Sequence, residues 1–344
     1  MTFNPSAIFT SKTNVLNLLN DKLHFSKIEK IFYFTHAEWN ENKSKILKQI
    51  PDVFSKQKII VRSSALGEDS IETSQAGSYE SILNVNSNSK SQLISAITSV
   101  ITSYGKKQNN NLENQILIQT QATNISISGV CFTKTPDLGS PYYVINYDKG
   151  ESTTGVTDGL VNQTIKILKI SDPELLEKKW ILLLHAVREI ESILKFDTLD
   201  IEFGITKNNE IIIFQVRPIT SVKKPLSKNT ITKIDQTVSK NIKKFEKIKN
   251  SQKIPGKPLI FSDMVDWNPA EIIGNNPNFL DYSLYDFLIM KDAWYKGRII
   301  IGYQKFNPHS LMEKFGNKPY VNARTSFYSL IPSTLSKSLT KKLM

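Results

Sequence analysis

Near residue 200 the chain reads DTLDIEFGITKNNEIIIFQVRPIT, and Asp200, Glu202, Gln215 and Arg217 fall at alternate positions of its two apolar runs. Two carboxylates, an amide and a guanidinium can together hold a divalent cation and phosphate oxygens. Hard ions such as Mg2+ take carboxylate and amide oxygens, and the arginine fork matches phosphate. The four side chains meet only if the runs pair as a hairpin. Asn208 and Asn209 tolerate the positive φ of a tight turn. A two-residue loop there sets Lys207 opposite Glu210, Glu202 opposite Gln215 and Asp200 opposite Arg217. One face then carries Ile201, Phe203, Ile205, Ile212, Phe214 and Val216; the other shows the four polar residues, with Gly204 leaving room for something to approach. A solvated sheet face with an Asp200–Arg217 pair satisfies the same pattern, and a one-residue slip would misalign the facing pairs.

A second stretch, KIIVRSSALGEDSIETSQAGSYESILNV, spans residues 58 to 85. A strand that ends in Arg62 and continues into Ser63, Ser64 and Ala65 offers a charged fork beside unobstructed backbone N–H groups, and Ala76-Gly77 supplies a small-residue turn. This suits an anion such as a polyphosphate, with an ordinary polar loop as the alternative. No G-x-x-x-x-G-K-[ST] loop occurs anywhere in the chain.

These residues need a framework. KIIVRSS, NQILIQTQ, ISGVCFT, YYVINY, TIKILKI, TLDIEFGI and EIIIFQVRP read as strands; SKSQLISAITSVITSYG and DPELLEKKWILLLHAVREIESILKF read as helices, the second opening on Asp172-Pro173. Mixed strands with a few helices predict an α+β fold in two lobes. Between Val222 and Ile260, eleven lysines face only Asp235 and Glu246, so this stretch carries nine of the twelve net positive charges. With Pro225, Pro255, Gly256 and Pro258 at its ends it reads as a linker, or as a solvated helix in its VSKNIKKFEKIK middle. Nucleic-acid binding calls for arginines and interleaved aromatics, and this stretch has no arginine and only Phe245.

The 344 residues, 40% of them apolar, suffice for several domains with real cores. No run approaches the roughly 18 apolar residues needed to span a bilayer, and the start lacks a charged segment followed by an apolar one. A cytoplasmic protein without membrane partners is expected. Cys131 is the single cysteine, which excludes an internal disulfide and reads as a buried strand thiol.

The stretch VRSSALGEDSIETSQAGSYESILNV resembles the V-R-S-S-A-x-x-E-D…A-G-x-x-x-[ST]-x-L-N-V signature of the phosphoenolpyruvate synthase and pyruvate phosphate dikinase family. Three further segments follow in the family's order: ILIQTQATNISISGVCFTKTP, YDKGESTTGVTDG and DIEFGI…IIIFQVRPIT. The resemblance implies an ATP-grasp fold of two lobes closing over ATP and Mg2+ in residues 1–221, a lysine-rich linker over 222–258, and the start of a further module over 259–344. Carried over by position, it implies that Arg62, Lys12 and Arg217 act on the phosphates. Asp200, Glu202 and Gln215 complete the nucleotide site, Glu202 and Gln215 hold the metal, and Gln119 and Gln121 lie near the adenine. Lys12 falls where the family has G-G-K-G-x-N-L, with Ser11 and Thr13 in place of the glycines.

Such enzymes pass phosphate from ATP to a histidine on a swivelling domain and then to an acceptor. Nothing here resembles their T-x-x-G-G-x-x-x-H-A-A motif, and His24, His36, His185 and His309 stand alone. The resemblance therefore implies the N-terminal part of a longer enzyme, partnered by a phosphohistidine domain and without complete turnover alone. WNPAEIIG, residues 267–274, resembles one branch of the superfamily, the L-glutamine kinases of capsular phosphoramidate synthesis, which form AMP, phosphate and glutamine phosphate. That branch implies L-glutamine as acceptor, with Trp267, Asn268, Glu271 and Arg324 as candidate contacts; packing residues and a surface cation explain them equally. Phosphoenolpyruvate synthase-like or antibiotic phosphotransfer, and a non-catalytic nucleotide-sensing module, are the alternatives.

Overall fold

The structure, a computed structural model, describes residues 5–68, 79–106, 111–149, 163–171, 176–222, 226–251, 254, 259–305 and 310–344. Ala76-Gly77, residues 150–159 of the third motif, Asp172-Pro173, Pro225, Pro255, Gly256, Pro258 and His309 lie outside them. The chain divides into two units, Met1–Ser227 and Lys228–Met344.

In the first unit β1 (Ile31–Thr35), β2 (Lys58–Ser64), β3 (Ser81–Asn86) and β4 (Gln115–Thr120) form an antiparallel sheet in the order β1-β4-β2-β3. A second antiparallel sheet contains β5 (Ile125–Phe132), β6 (Tyr142–Lys149), β7 (Gln163–Leu168), β8 (Leu199–Thr206) and β9 (Ile211–Pro218), ordered β7-β6-β5-β8-β9. The helices are α1 (Lys12–Asn20), α2 (His36–Phe54), α3 (Lys90–Lys106) and α4 (Lys178–Leu194). The class is α+β.

Side-chain alternation decides which residues reach the site. In β2, Ile59 and Val61 are fully buried in a core with Ile50 and Phe54 of α2 and Leu93, Ile97 and Val100 of α3. In β8, Ile201 and Phe203 enter a separate core with Leu183, Val187 and Ile190 of α4 and Val15 and Leu19 of α1. Each such burial is worth about 1.5–3 kcal/mol. The apolar residues therefore fix the strand faces and throw Arg62, Asp200 and Glu202 to the other side. Cys131 lies in the α4 core, as expected of a strand thiol, and burial pushes its pKa up.

The hairpin keeps the expected pairs Asp200–Arg217 and Glu202–Gln215 but differs nearer its turn. Phe203 faces Ile213, Gly204 faces Ile212 and Ile205 faces Ile211, with a bulge at Phe214 between the two registers. The turn is one residue longer than expected. Thr206 N–H donates to Glu210 O (3.0 Å), Asn209 adopts φ 63°, and Lys207 N–H donates to Asn124 O (2.9 Å), so Lys207 does not face Glu210. Ile211 and Ile213 enter the core in place of Ile212 and Phe214. Strands β1 and β3 and helices α1 and α2 were not among the expected elements. The described part of α4 begins at Lys178, with Glu177 at its cap position.

The second unit begins with α5 (Lys228–Ser251), so the lysine-rich stretch is largely one helix, none of whose residues is buried. Its Lys244 pairs with Glu313 (2.7 Å), and Phe245 packs edge-on to Phe261. Strands β10 (Phe261–Ser262), β11 (Met312–Phe315) and β12 (Lys318–Asn322) form a sheet ordered β10-β12-β11. Around it lie α6 (Pro269–Ile273), α7 (Phe279–Tyr285), a π-helical segment (Asp286–Met290), α8 (Ala293–Ile300), α9 (Ala323–Tyr328) and α10 (Lys337–Leu343). Met290, Trp294, Leu311, Met312 and Val321 form its core. Among the described residues, no helix is long and apolar enough to cross a membrane.

Candidate functional site

The polar face of β8 and β9 is built around a buried ion pair. Arg217 Nε donates to Asp200 Oδ2 (2.8 Å), and Arg217 Nη2 lies 3.7 Å from Glu202 Oε1. Asp200 Oδ1 is buried with no hydrogen-bond partner. Burial raises the Asp200 pKa to about 6: Arg217 opposes the rise and Glu202 adds to it. Gly204 does leave room, but a neighbour from the hairpin itself fills it. A Cβ at Gly204 would lie 2.7 Å from Cζ of Phe214.

Arg62 crosses from the first sheet to this face. Its Nη1 donates to the Phe214 carbonyl (3.1 Å), its Nη2 donates to Gln215 Oε1 (3.2 Å), and Nη2 lies 3.6 Å from Glu202 Oε2. The Arg62 and Glu202 side chains are each 14% exposed. The carbonyl that Arg62 uses belongs to the bulged residue, so the irregularity in β9 contributes directly to this contact.

Gln119 shares the Arg62 face. It stands opposite Ile60, while Leu117 stands opposite Arg62. Leu117 packs into the core of the second sheet, whereas Ile116 and Ile118 turn to the first. Gln119 is 2% exposed and its Nε2 has no acceptor. Gln121 does not join it: its amide is engaged with Asn84, accepting from the backbone N–H (2.8 Å) and donating to Oδ1 (3.0 Å).

Lys12 opens α1, behind Ser11 as the capping residue. Its Nζ donates to Glu68 Oε1 (2.6 Å), with both side chains buried. Glu68 also accepts from Ser63 Oγ (3.2 Å) and the Ala65 N–H (3.2 Å), while Thr13 donates through N–H and Oγ1 to Ser64 Oγ (3.0 and 2.8 Å). The loop after Arg62 is thus stitched to the start of α1. Sequence reasoning did not single out Glu68: its partner lies 56 residues away, and an acid after a glycine reads as an ordinary loop residue.

Among the described residues, no group of three or more His, Cys, Asp and Glu side chains could hold a metal ion by itself. The oxygens of Asp200, Glu202 and Gln215 nevertheless fit Mg2+, which binds through one or two carboxylates and completes its shell with water and phosphate oxygens. The partnerless Asp200 Oδ1, beside a Glu202 carboxylate with only long contacts to its arginines, is the observation that favours this fit.

Residues 27–180 match the family model of the pyruvate phosphate dikinase AMP/ATP-binding domain. The match includes Arg62 and Gln119 and stops before the hairpin of Asp200 to Arg217. No curated protein matches the chain. Among solved structures, D-alanyl-alanine synthetase A from Vibrio cholerae is 13% identical over 65% of this chain and 58% of its own, with a TM-score of 0.38. The D-alanine-D-alanine ligase from Coxiella burnetii is 10% identical over 64% and 50%, with a TM-score of 0.36. A Chryseobacterium gregarium RiPP-associated ATP-grasp ligase, solved with ADP and a leader and core peptide, is 13% identical over 64% and 54%, with a TM-score of 0.36. The chain spans between 50 and 58% of the length of these three structures.

In the second unit Asn268 and Pro269 open α6 and Gly274 closes it. Trp267 Nε1 and Asn268 Oδ1 are buried without partners, Glu271 is exposed, and Arg324 Nη1 donates to the Met344 carbonyl (2.8 Å). Asp266, unremarked in the sequence, accepts from Arg298 and Ser326. Of the histidines, His185 stacks on Phe25 at 5.2 Å, a packing role.

Proposed function

We propose that residues 1–221 bind MgATP in an ATP-grasp site and form the ATP-binding portion of a phosphotransferase. The observation that carries this reading is Arg62, which reaches from one sheet to Glu202 and Gln215 of the other, so that phosphate-binding and cation-binding groups converge in a half-dry cleft. Arg62 and Arg217 neutralise and orient the polyphosphate, which in a low-dielectric site is the larger part of phosphoryl-transfer catalysis. Bound through Asp200, Glu202 and Gln215, Mg2+ would offset further phosphate charge. Gln119 Nε2 offers a donor to an acceptor nitrogen of the base. Lys12 is held by Glu68 at 2.6 Å, and its ammonium has further N–H donors to offer a phosphate oxygen.

The fuller activity belongs to the same proposal. A histidine on a phosphohistidine domain attacks the β-phosphorus and AMP leaves. Water releases phosphate, and the remaining phosphoryl group passes to the amide nitrogen of L-glutamine, which gives up a proton. The acceptor rests on the WNPAEIIG phrase and on the two partnerless polar atoms at Trp267 and Asn268.

Thermal denaturation of the chain with ATP, with Mg2+ and with both tests the core of this reading. A ligand at a hundred times its dissociation constant stabilises by about 2.7 kcal/mol, and the shift is expected only with ATP and Mg2+ together. Glu202→Ala should reduce that joint shift; unchanged MgATP affinity in the folded variant removes Glu202 from the site. Calorimetry with L-glutamine on wild type and Asn268→Ala tests the acceptor assignment.

A further inference from the structure

The guanidinium of Arg62 already occupies oxygens assigned above to the cation. Its Nη2 lies 3.2 Å from Gln215 Oε1 and 3.6 Å from Glu202 Oε2, and its Nη1 is anchored at 3.1 Å by the Phe214 carbonyl. Arg217 holds the other Glu202 oxygen only loosely, at 3.7 Å, because its Nε is bonded to Asp200 within the hairpin. A guanidinium and a dication cannot share one carboxylate and one amide oxygen, since like charges at such distances repel strongly in a site this dry. We propose that in the nucleotide-free protein Arg62 stands in for the cation. It satisfies Glu202 and Gln215, excludes a free divalent ion, and yields these oxygens only when a polyphosphate takes the guanidinium. The inference rests on the nucleotide reading above and adds an order to it: the chain admits metal with nucleotide, never ahead of it.

The physical case is an exchange of partners. Arginine prefers phosphate, which it can grip through two parallel charge-assisted bonds, to a carboxylate it touches at 3.6 Å. Glu202, once vacated, would keep only the 3.7 Å contact of Arg217 in a largely buried position, and Gln215 Oε1 would lose the Arg62 donor, a costly state that a hard cation relieves. Neither half of the exchange is favourable alone. Removing Arg62 should therefore have two effects of opposite sign, a pattern that a merely damaged site does not produce.

The test uses Mn2+ as the probe, titrated into the whole chain and followed by the paramagnetic resonance of the free ion. Wild type is expected to leave Mn2+ free without nucleotide and to bind it once a non-hydrolysable ATP analogue is present. Arg62→Met should raise the affinity for Mn2+ alone by at least about tenfold and lower the affinity for the Mn2+–analogue complex by a similar factor. Adding Glu202→Gln to Arg62→Met should abolish the gain. Equal affinity for Mn2+ alone in wild type and Arg62→Met overturns the inference and spares the nucleotide reading. So does tight binding of Mn2+ alone by wild type that still takes the analogue, a result that needs no variant to fold. Failure of wild type to bind the Mn2+–analogue complex removes both.

Discussion

Burying an amide nitrogen without a partner costs about 1–3 kcal/mol, and Gln119 Nε2 is in that state. A core position would not keep such a group without return. Gln119→Leu is therefore expected to leave the empty protein as stable as wild type or more so, while weakening nucleotide binding; calorimetry beside a melting curve reads both. Asp200 makes a second case. Its folded pKa of about 6 lies above the ordinary value of 3.8, so the folded state holds this proton more tightly than the unfolded chain does. The resulting stabilisation is complete below the unfolded pKa and is lost as the pH rises through 6, a change of about 3 kcal/mol. Without nucleotide or divalent ions, Asp200→Asn should gain stability over wild type between pH 4 and pH 6.5, with the gap constant above that. A gap independent of pH would show that Asp200 is not raised.

Two glycines in neighbouring strands separate a tight fit from a forbidden one. A Cβ at Gly204 meets the edge of the Phe214 ring at 2.7 Å, whereas one at Gly129 meets the Asn146 backbone carbonyl at 2.4 Å. A ring can tilt; a carbonyl in a ladder cannot. Overpacking of this kind costs about 1–3 kcal/mol, occasionally more. Chemical denaturation should place Gly204→Ala within that range and Gly129→Ala above it, and Phe214→Leu should recover part of the loss at Gly204 but none at Gly129. The same hairpin shows what a sequence can and cannot tell. Asp200, Glu202, Gln215 and Arg217 were legible because polar and apolar residues alternate around them. Ile211, Ile212, Ile213 and Phe214 are all apolar, so nothing in their order marks which of them enters the core or where a bulge falls. A longer turn and a bulge offset one another, and the site pairs end where a two-residue turn would have put them. Helix α2 escaped for a different reason: its sequence is mostly polar and carries Pro51. Its start is secured by Thr35 and Glu38, each bonded to the other's backbone N–H (3.1 and 2.7 Å).

The two units have separate cores: Met1–Ser227 holds two, one for each sheet, and Lys228–Met344 holds a third around Met290, Trp294 and Val321. A fragment ending at Ser227 is expected to fold cooperatively and to bind MgATP as the full chain does; loss of binding in a folded fragment would assign part of the nucleotide site to residues 228–344. The lysines that dominate the net charge belong largely to one helix, so they describe that helix and not the cleft. The reach of Arg62 has a consequence during synthesis. Arg62 and Gln215 are 153 positions apart, and a contact that far along the chain forms only after a long loop has closed. While the ribosome is still making the hairpin, the first sheet has all its strands but its arginine has no partner across the cleft. Under the proposed function, ATP can stabilise the nascent protein only once Gln215 and Arg217 have emerged, and until then the first sheet rests on its own core.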